Sequence, residues 1–182
     1  MLFRSLAHSI GSLLELSRLA AEAWKPDLQW AEPGEVLGWV LFRLEKADRE
    51  RVEVDLPENP PLILVDFQQW GRMLMHLLEN ALSYSPPGSP VVVGVRSVDD
   101  GLATWIADEG PGIPDEEKSR VFEKFFRGAF SNLLPGGTGL GLPIAMEIAH
   151  VHEGDIRIED NTPSGTRIVV LLPPTHVMET EE

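Results

Sequence analysis

The sequence contains no cysteine, which excludes disulfides and thiolate metal sites and leaves the redox compartment open. Basic residues are scarce. Fifteen Lys and Arg stand against 29 Asp and Glu, a formal charge of −14 at pH 7. A nucleic-acid groove needs a basic stripe to displace counterions, so nucleic acid is not an expected partner. An anionic ligand must instead be held locally, by backbone N–H groups, a few basic side chains and a metal. Long apolar runs are missing too: the longest, such as IVVLL, fall far short of the ~20 residues that span a bilayer. His8 and Glu15 interrupt the apolar part of an N-terminus that faintly resembles a signal peptide, so this stretch reads as a helix and the chain as soluble. The P-loop pattern GxxxxGKS/T is absent, and the alternating spacing of Gly137, Gly139 and Gly141 does not match GxGxxG.

What is present is glycine in clusters. From Asp108 onward the chain carries DEGPGIP, then VFEKFFRG, then GGTGLGLPIA, so that two glycine-rich segments flank an aromatic-basic patch. Glycine lets backbone approach a ligand closely and take positive φ. The second cluster runs straight into a helix pattern, and the unpaired N–H groups and dipole at a helix start favour phosphate.

At 182 residues the chain reads as one domain with an added element. Residues 3–24 predict a helix with Leu6, Ile10, Leu13, Leu14, Ala20, Ala21 and Trp24 on one stripe, ended by Pro26. A stripe so apolar needs a second helix or a second subunit. A short strand over Asp27–Trp30 and a helix from about Gly34 to Lys46 follow, then strands in RVEVDLP and LILVD. Asp66 with Gln69 three residues on is a capping box for the next helix. Steps of about 100° put Phe67, Trp70, Leu74, Leu77, Leu78 and Ala81 on its core arc, with His76, Asn80 and Tyr84 as a polar row beside Arg72, Glu79 and Ser83.

VVVGVR and LATWIAD are strands, and alternation puts Asp108 on the same face as Leu102, Thr104 and Ile106, at a strand end just before a glycine turn. A carboxylate there needs hydrogen-bond partners, because burial is otherwise costly. A helix over about Gly139–His152 and a closing hairpin, DIRIED with TRIVVLL, complete the pattern, and residues 175–182 read as a frayed acidic tail. The expected fold is a two-layer α/β sandwich: a mixed sheet with helices on one face, preceded by a helix.

Five motifs in this order, HLLENALSYSPPG, DEGPGIP, VFEKFFRG, GGTGLGLPIA and SGT, resemble the catalytic ATP-binding domain of sensor histidine kinases, which shares its Bergerat-type fold with gyrase, mismatch-repair ATPases and a heat-shock chaperone. The resemblance covers residues 27–174, and residues 1–26 resemble the end of the dimerisation helix pair. It implies ATP as ligand with Mg²⁺ held by Asn80, an uncharged oxygen ligand that suits a hard cation. Asp108 matches the carboxylate that accepts the adenine amino group. Gly110 and Gly112, with Ile113 in the same turn, would pass under the base, Tyr84 would stack near it, and Thr166 would reach it through water.

Gly137, Thr138, Gly139, Leu140 and Gly141 would offer N–H groups to the phosphates, and Arg127 and Lys124 would reach the terminal phosphate. Glu79 is the carboxylate available as a base, and residues 128–136 would form a mobile lid. Phe122, Phe125 and Phe126 read as packing that anchors it.

Two positions depart from the family pattern. His76 stands where Asn is common in the kinases and where gyrase-like hydrolases carry a Glu, and Ser83 stands where Lys or Arg is frequent. The kinase box with the phosphoacceptor does not match His8, so the resemblance implies partners: a dimerisation domain bearing the acceptor histidine, a response regulator, and a homodimeric parent. A nucleotide-binding regulatory module of the same fold, without phosphotransfer, is the alternative; an ATP hydrolase is disfavoured by the missing Glu.

Overall fold

The computed structural model describes Gly11 and residues 25–130 and 137–179. The helix expected over residues 3–24 and His8 lie outside the described residues, Gly11 excepted, as do residues 131–136 of the expected lid.

The chain alternates strands and helices: β1 (Gln29–Ala31), α1 (Pro33–Arg43), α2 (Lys46–Arg49), β2 (Val52–Asp55), β3 (Leu62–Val65), α3 (Phe67–Tyr84), β4 (Val91–Val98), β5 (Gly101–Ala107), α4 (Asp115–Lys118), α5 (Gly141–Val151), β6 (Asp155–Asp160), β7 (Thr166–Leu172) and β8 (Val177–Met178). Five strands form a mixed sheet in the order β2-β4-β5-β7-β6, with β2 parallel to β4 and the remaining pairs antiparallel. The helices α1, α3 and α5 form the second layer, α3 lying between the other two. Between the layers, Trp70, Met73, Leu77 and Leu78 of α3 meet Ile144 and Ile148 of α5 and Val93, Leu102, Ile106 and Val170 of the sheet in one core. The expected sandwich is therefore observed.

Three local expectations are corrected. The expected helix to Lys46 stops at Arg43, where Leu44 turns extended, and a separate short turn, α2, begins at Lys46. The expected frayed tail is instead ordered up to β8: a 3₁₀ turn over Pro174–His176 buries His176, and Val177 pairs with Ile63. This adds a second sheet, β1-β3-β8, that strand counting did not foresee. The capping box at α3 is half formed. Asp66 Oδ1 accepts the Gln69 N–H at 3.1 Å, but the Gln69 amide does not return the bond and its Oε1 is buried without a partner. The Asp66 N–H donates instead to Nε2 of His152 at 2.9 Å, and Asp66 Oδ2 accepts the Asp27 N–H.

His152 is wholly buried, with Nδ1 at 2.7 Å from the Ile148 carbonyl and its ring edge-on to Trp70. Because Nε2 must accept from Asp66, the proton sits on Nδ1. One imidazole thus ties the end of α5 to the start of α3.

Two glycines follow from aromatic packing. A Cβ at Gly71 would come within 2.8 Å of the Trp39 ring, and Gly94, opposite Trp105 across the ladder, is covered by that indole. Trp105 itself lies on the outer face of the five-stranded sheet, below Arg96 and Arg167.

Candidate functional site

The site forms where α3, the end of β5, the start of β7 and the start of α5 converge. They enclose a cavity of about 260 Å³, near the small end of the range for small-molecule sites. Twelve of the sequence-predicted residues line it: Glu79, Asn80 and Tyr84 from α3, Asp108, Gly112 and Ile113 from the turn after β5, Arg127, Gly137, Thr138, Gly139, Gly141, and Thr166.

Asp108 sits one residue beyond β5 and is almost wholly buried, at 6% exposure. Its Oδ1 accepts the N–H of Gly110 at 2.7 Å and the N–H of Thr166 at 3.2 Å, and both of these bonds fall on one oxygen. Burial raises its pKa above the ordinary 3.8, and the two N–H groups oppose that rise. The backbone around it is equally constrained: the Asp108 N–H donates to the Thr166 carbonyl at 2.8 Å, and Asn161 Nδ2 donates to the Asp108 carbonyl at 2.8 Å. Gly165, at φ +115°, leaves no room for a Cβ against that same carbonyl. The SGT motif and the DEGPGIP turn are therefore one unit, the first clamping the backbone of the second.

Gly110 does not line the cavity. Its role is local: a Cβ there would lie 2.8 Å from Asp108 Oδ1 and 3.0 Å from the Tyr84 carbonyl, so only glycine can bring its N–H to the carboxylate. Gly112, at φ +79°, does line it. Tyr84 is held neutral by burial, which raises its pKa, with Arg127 lowering and Glu117 raising it through charge.

The glycine-rich start of α5 is fixed by the aromatic patch. Gly139 has φ +68°, and a Cβ there would lie 2.7 Å from the Phe126 carbonyl and 2.8 Å from the Phe125 carbonyl carbon. The Gly139 carbonyl accepts the Phe125 N–H at 2.9 Å, and Phe125 is itself left-handed at φ 65°. Phe122 does pack on the core, as expected. Phe125 is 59% exposed, and Phe126 lines the cavity below Arg120, so those two are not buried anchors.

The Leu140 N–H donates to Thr138 Oγ1 at 3.3 Å and the Leu140 side chain is buried in the core, so it does not line the cavity. The first helical positions, Gly141 and Leu142, do line it, and Pro143 has no N–H to leave unsatisfied. Lys124 is exposed and is not among the lining residues.

Sequence reasoning missed Glu117. Its carboxylate lines the cavity and accepts the Ala129 N–H at 3.0 and 3.2 Å, tying α4 to the base of the expected lid. It stands in the acidic run DEEK, which reads as a solvated face. Its neighbour Lys118 bridges Asp115 and Asp160 at 2.7 and 2.8 Å and docks α4 on β6. His76, a member of the polar row expected on α3 and a departure from the family pattern, lines the cavity as well.

Among the described residues no group of three or more His, Asp and Glu could hold a metal alone. A cation here must draw part of its shell from a ligand, and the amide of Asn80 suits a hard ion that also keeps phosphate oxygens and waters.

A two-layer sandwich in which a strand-end carboxylate and a glycine-rich helix start line one cavity has the architecture of an ATP-binding domain. The profile of the family described as histidine kinase-, DNA gyrase B- and HSP90-like ATPase matches residues 65–176, more than half of the chain, and the chain belongs to that family. The signal transduction histidine-protein kinase/phosphatase MprB of Mycolicibacterium vanbaalenii is 37% identical over 169 residues, covering 90% of this chain and 34% of the relative. A solved structure of mycobacterial sensor histidine kinase MprB superposes with a TM-score of 0.71 at 34% identity, covering 84% of this chain and all of that one. Full-length ShkA in complex with AMPPNP matches at a TM-score of 0.78 and 22% identity, covering 97% of this chain and 37% of that one, a likeness of fold. The chain thus spans about a third of the length of the mycobacterial relative. It is a catalytic ATPase domain of the sensor histidine kinase type, as the five motifs implied.

Proposed function

We propose that this domain binds ATP with Mg²⁺ in the cavity described and passes the γ-phosphoryl group to a histidine on the dimerisation domain of its parent, from which a response regulator takes it. The observation that carries the reading is Asp108: a buried carboxylate lining the cavity, one oxygen engaged by two backbone N–H groups, poised to accept the adenine amino group with the other. Tyr84, Gly112, Ile113 and Thr166 surround the base, Gly110 holds the carboxylate, and Gly137, Thr138, Gly139 and Gly141 lie toward the phosphates. Asn80 holds the cation, and Glu79 on the same turn is the carboxylate that can take the proton of an attacking imidazole. Arg127 is the basic side chain at the cavity that can meet the terminal phosphate.

Phosphoryl transfer depends on positioning and on charge stabilisation more than on covalent help from the protein. Bound Mg²⁺ would supply charge neutralisation at the phosphates; the chain's own residues orient the nucleotide and exclude water from the base. Residues 1–26 would belong to the dimerisation helix pair of a homodimeric parent, and the domain would work in the cytoplasm. Among the described residues no helix is long and apolar enough to cross a membrane.

Calorimetry of the full chain with ATP or ADP and Mg²⁺ tests the binding step, and no heat at millimolar nucleotide would reject it. Adding a dimerisation domain that bears the acceptor histidine and following labelled phosphate tests the transfer. Phosphate release without transfer would point to a hydrolase instead.

A further inference from the structure

His76, Glu79 and Asn80 occupy positions i, i+3 and i+4 of α3, a spacing that brings side chains together on one helix face, and all three line the cavity. His76 is also placed at the phosphate end. Its Nδ1 lies 3.9 Å from where a Cβ would stand at Gly141, the first residue of α5. The face therefore offers an imidazole nitrogen, a carboxylate oxygen and an amide oxygen beside the helix start that receives phosphate.

This donor set is not the one Mg²⁺ selects. Mg²⁺ takes oxygen ligands and gives up water reluctantly, whereas imidazole suits the later first-row ions Fe, Ni, Cu and Zn. Mn²⁺ shares with Mg²⁺ the octahedral oxygen shell that phosphates, carbonyls and water supply and, although the weakest of the first-row series, is the ion that can take the place of Mg²⁺ on the nucleotide while accepting one nitrogen donor. We infer that His76 ligates the cation that accompanies the nucleotide, together with Asn80, and that this makes the domain favour Mn²⁺ over Mg²⁺. The inference rests on the nucleotide reading of the cavity and deepens it: His76 is a specificity-determining residue for the cation. Glu79 supplies the negative charge that an all-neutral imidazole and amide pair lacks.

The test uses the full chain with ADP. Calorimetric affinities are compared with Mg²⁺ and with Mn²⁺, and pulsed electron paramagnetic resonance of the Mn²⁺–ADP complex is searched for coupling to a directly bound imidazole nitrogen. The expected result is tighter ADP binding with Mn²⁺, a nitrogen coupling in the unaltered chain, and in His76→Asn loss of that coupling with at least a fivefold fall in the Mn²⁺-to-Mg²⁺ affinity ratio. His76→Gln, checked for folding by circular dichroism, guards against a variant that merely misfolds, and the spectrum of the unaltered chain is decisive without any variant. ADP bound equally well with both ions, and no nitrogen coupling, would overturn the inference while leaving the nucleotide site standing. No binding of ADP with either ion would instead reject the nucleotide reading itself.

Discussion

Asp108 concentrates the chemistry of the site in one residue. Asp108→Asn keeps the shape and retains an oxygen for the N–H groups of Gly110 and Thr166, but it turns an NH₂ group toward an adenine amino group that needs an acceptor. Losing a hydrogen bond to a charged group costs about 1.5–3 kcal/mol, so ATP affinity should fall roughly 10- to 150-fold by calorimetry. Stability should move the other way. Burial holds the carboxyl above 3.8, so between 3.8 and its raised value the native state binds more protons than the unfolded chain, and its contribution to stability falls as pH rises through that window. The Asn variant lacks this penalty and should be no less resistant to urea at pH 7. Nucleotide binding by the unaltered protein, which needs the ionised form, should weaken as pH falls through the raised value.

Gly139 gives a second test at the same scale. Its φ of +68° and the Phe126 carbonyl 2.7 Å from a would-be Cβ mean that Gly139→Ala suffers both strain and clash, a destabilisation above ~1 kcal/mol. Thermal denaturation should show a lower midpoint, and ATP binding should weaken because the start of α5 moves.

At the scale of elements, α3 and α5 are the two that must stay in register, and His152 joins them. Its wholly buried ring donates from Nδ1 to Ile148 and accepts at Nε2 from Asp66, so a second proton would set N–H against N–H. Burial accordingly lowers its pKa from the ordinary 6.5. Between 6.5 and the lowered value the unfolded chain binds more protons than the native one; this contribution is complete above 6.5 and lost as pH falls toward the lowered value. The urea midpoint of the unaltered protein should drop between pH 7.5 and pH 5.5. His152→Gln should be weaker at pH 7.5, because it cannot serve both elements, yet show a smaller drop over the same interval.

The join was not legible in the sequence, and the reason is physical. Asp66 and Gln69 carry a local signature that propensity reads as a reciprocal cap, but the second bond of that cap was displaced by a side chain 86 positions away. The same holds for β8, which exists because Val177 finds Ile63 in a distant strand while its local sequence looks like a tail. By contrast the α3 arc of Trp70, Leu74, Leu77, Leu78 and Ala81 and the placement of Asp108 follow from helical and strand periods alone, and both came through. Glu117 was hidden because an acidic run gives no sign of which carboxylate turns inward.

For the molecule as a whole, a chain of net charge −14 must hold a triply or quadruply charged ligand without a general positive field. The holding is left to local devices drawn from separate elements: α3, the β5 turn, β7 and the start of α5. A ligand that bridges all four binds only the assembled fold, because no unfolded or partly opened chain presents them together. Binding should therefore stabilise globally. At a free nucleotide concentration of 100 times the dissociation constant the gain is about 2.7 kcal/mol, and a domain of this size shifts its melting temperature by about 2–4 °C per kcal/mol. Saturating ATP with divalent cation should raise the melting temperature by about 5–11 °C in differential scanning calorimetry. With the 10- to 150-fold loss of affinity argued above, Asp108→Asn should show only about a half to a tenth of that shift at the same concentration, while keeping its nucleotide-free melting temperature. A full shift in that variant would mean that the base sits elsewhere and that the four elements do not grip one ligand.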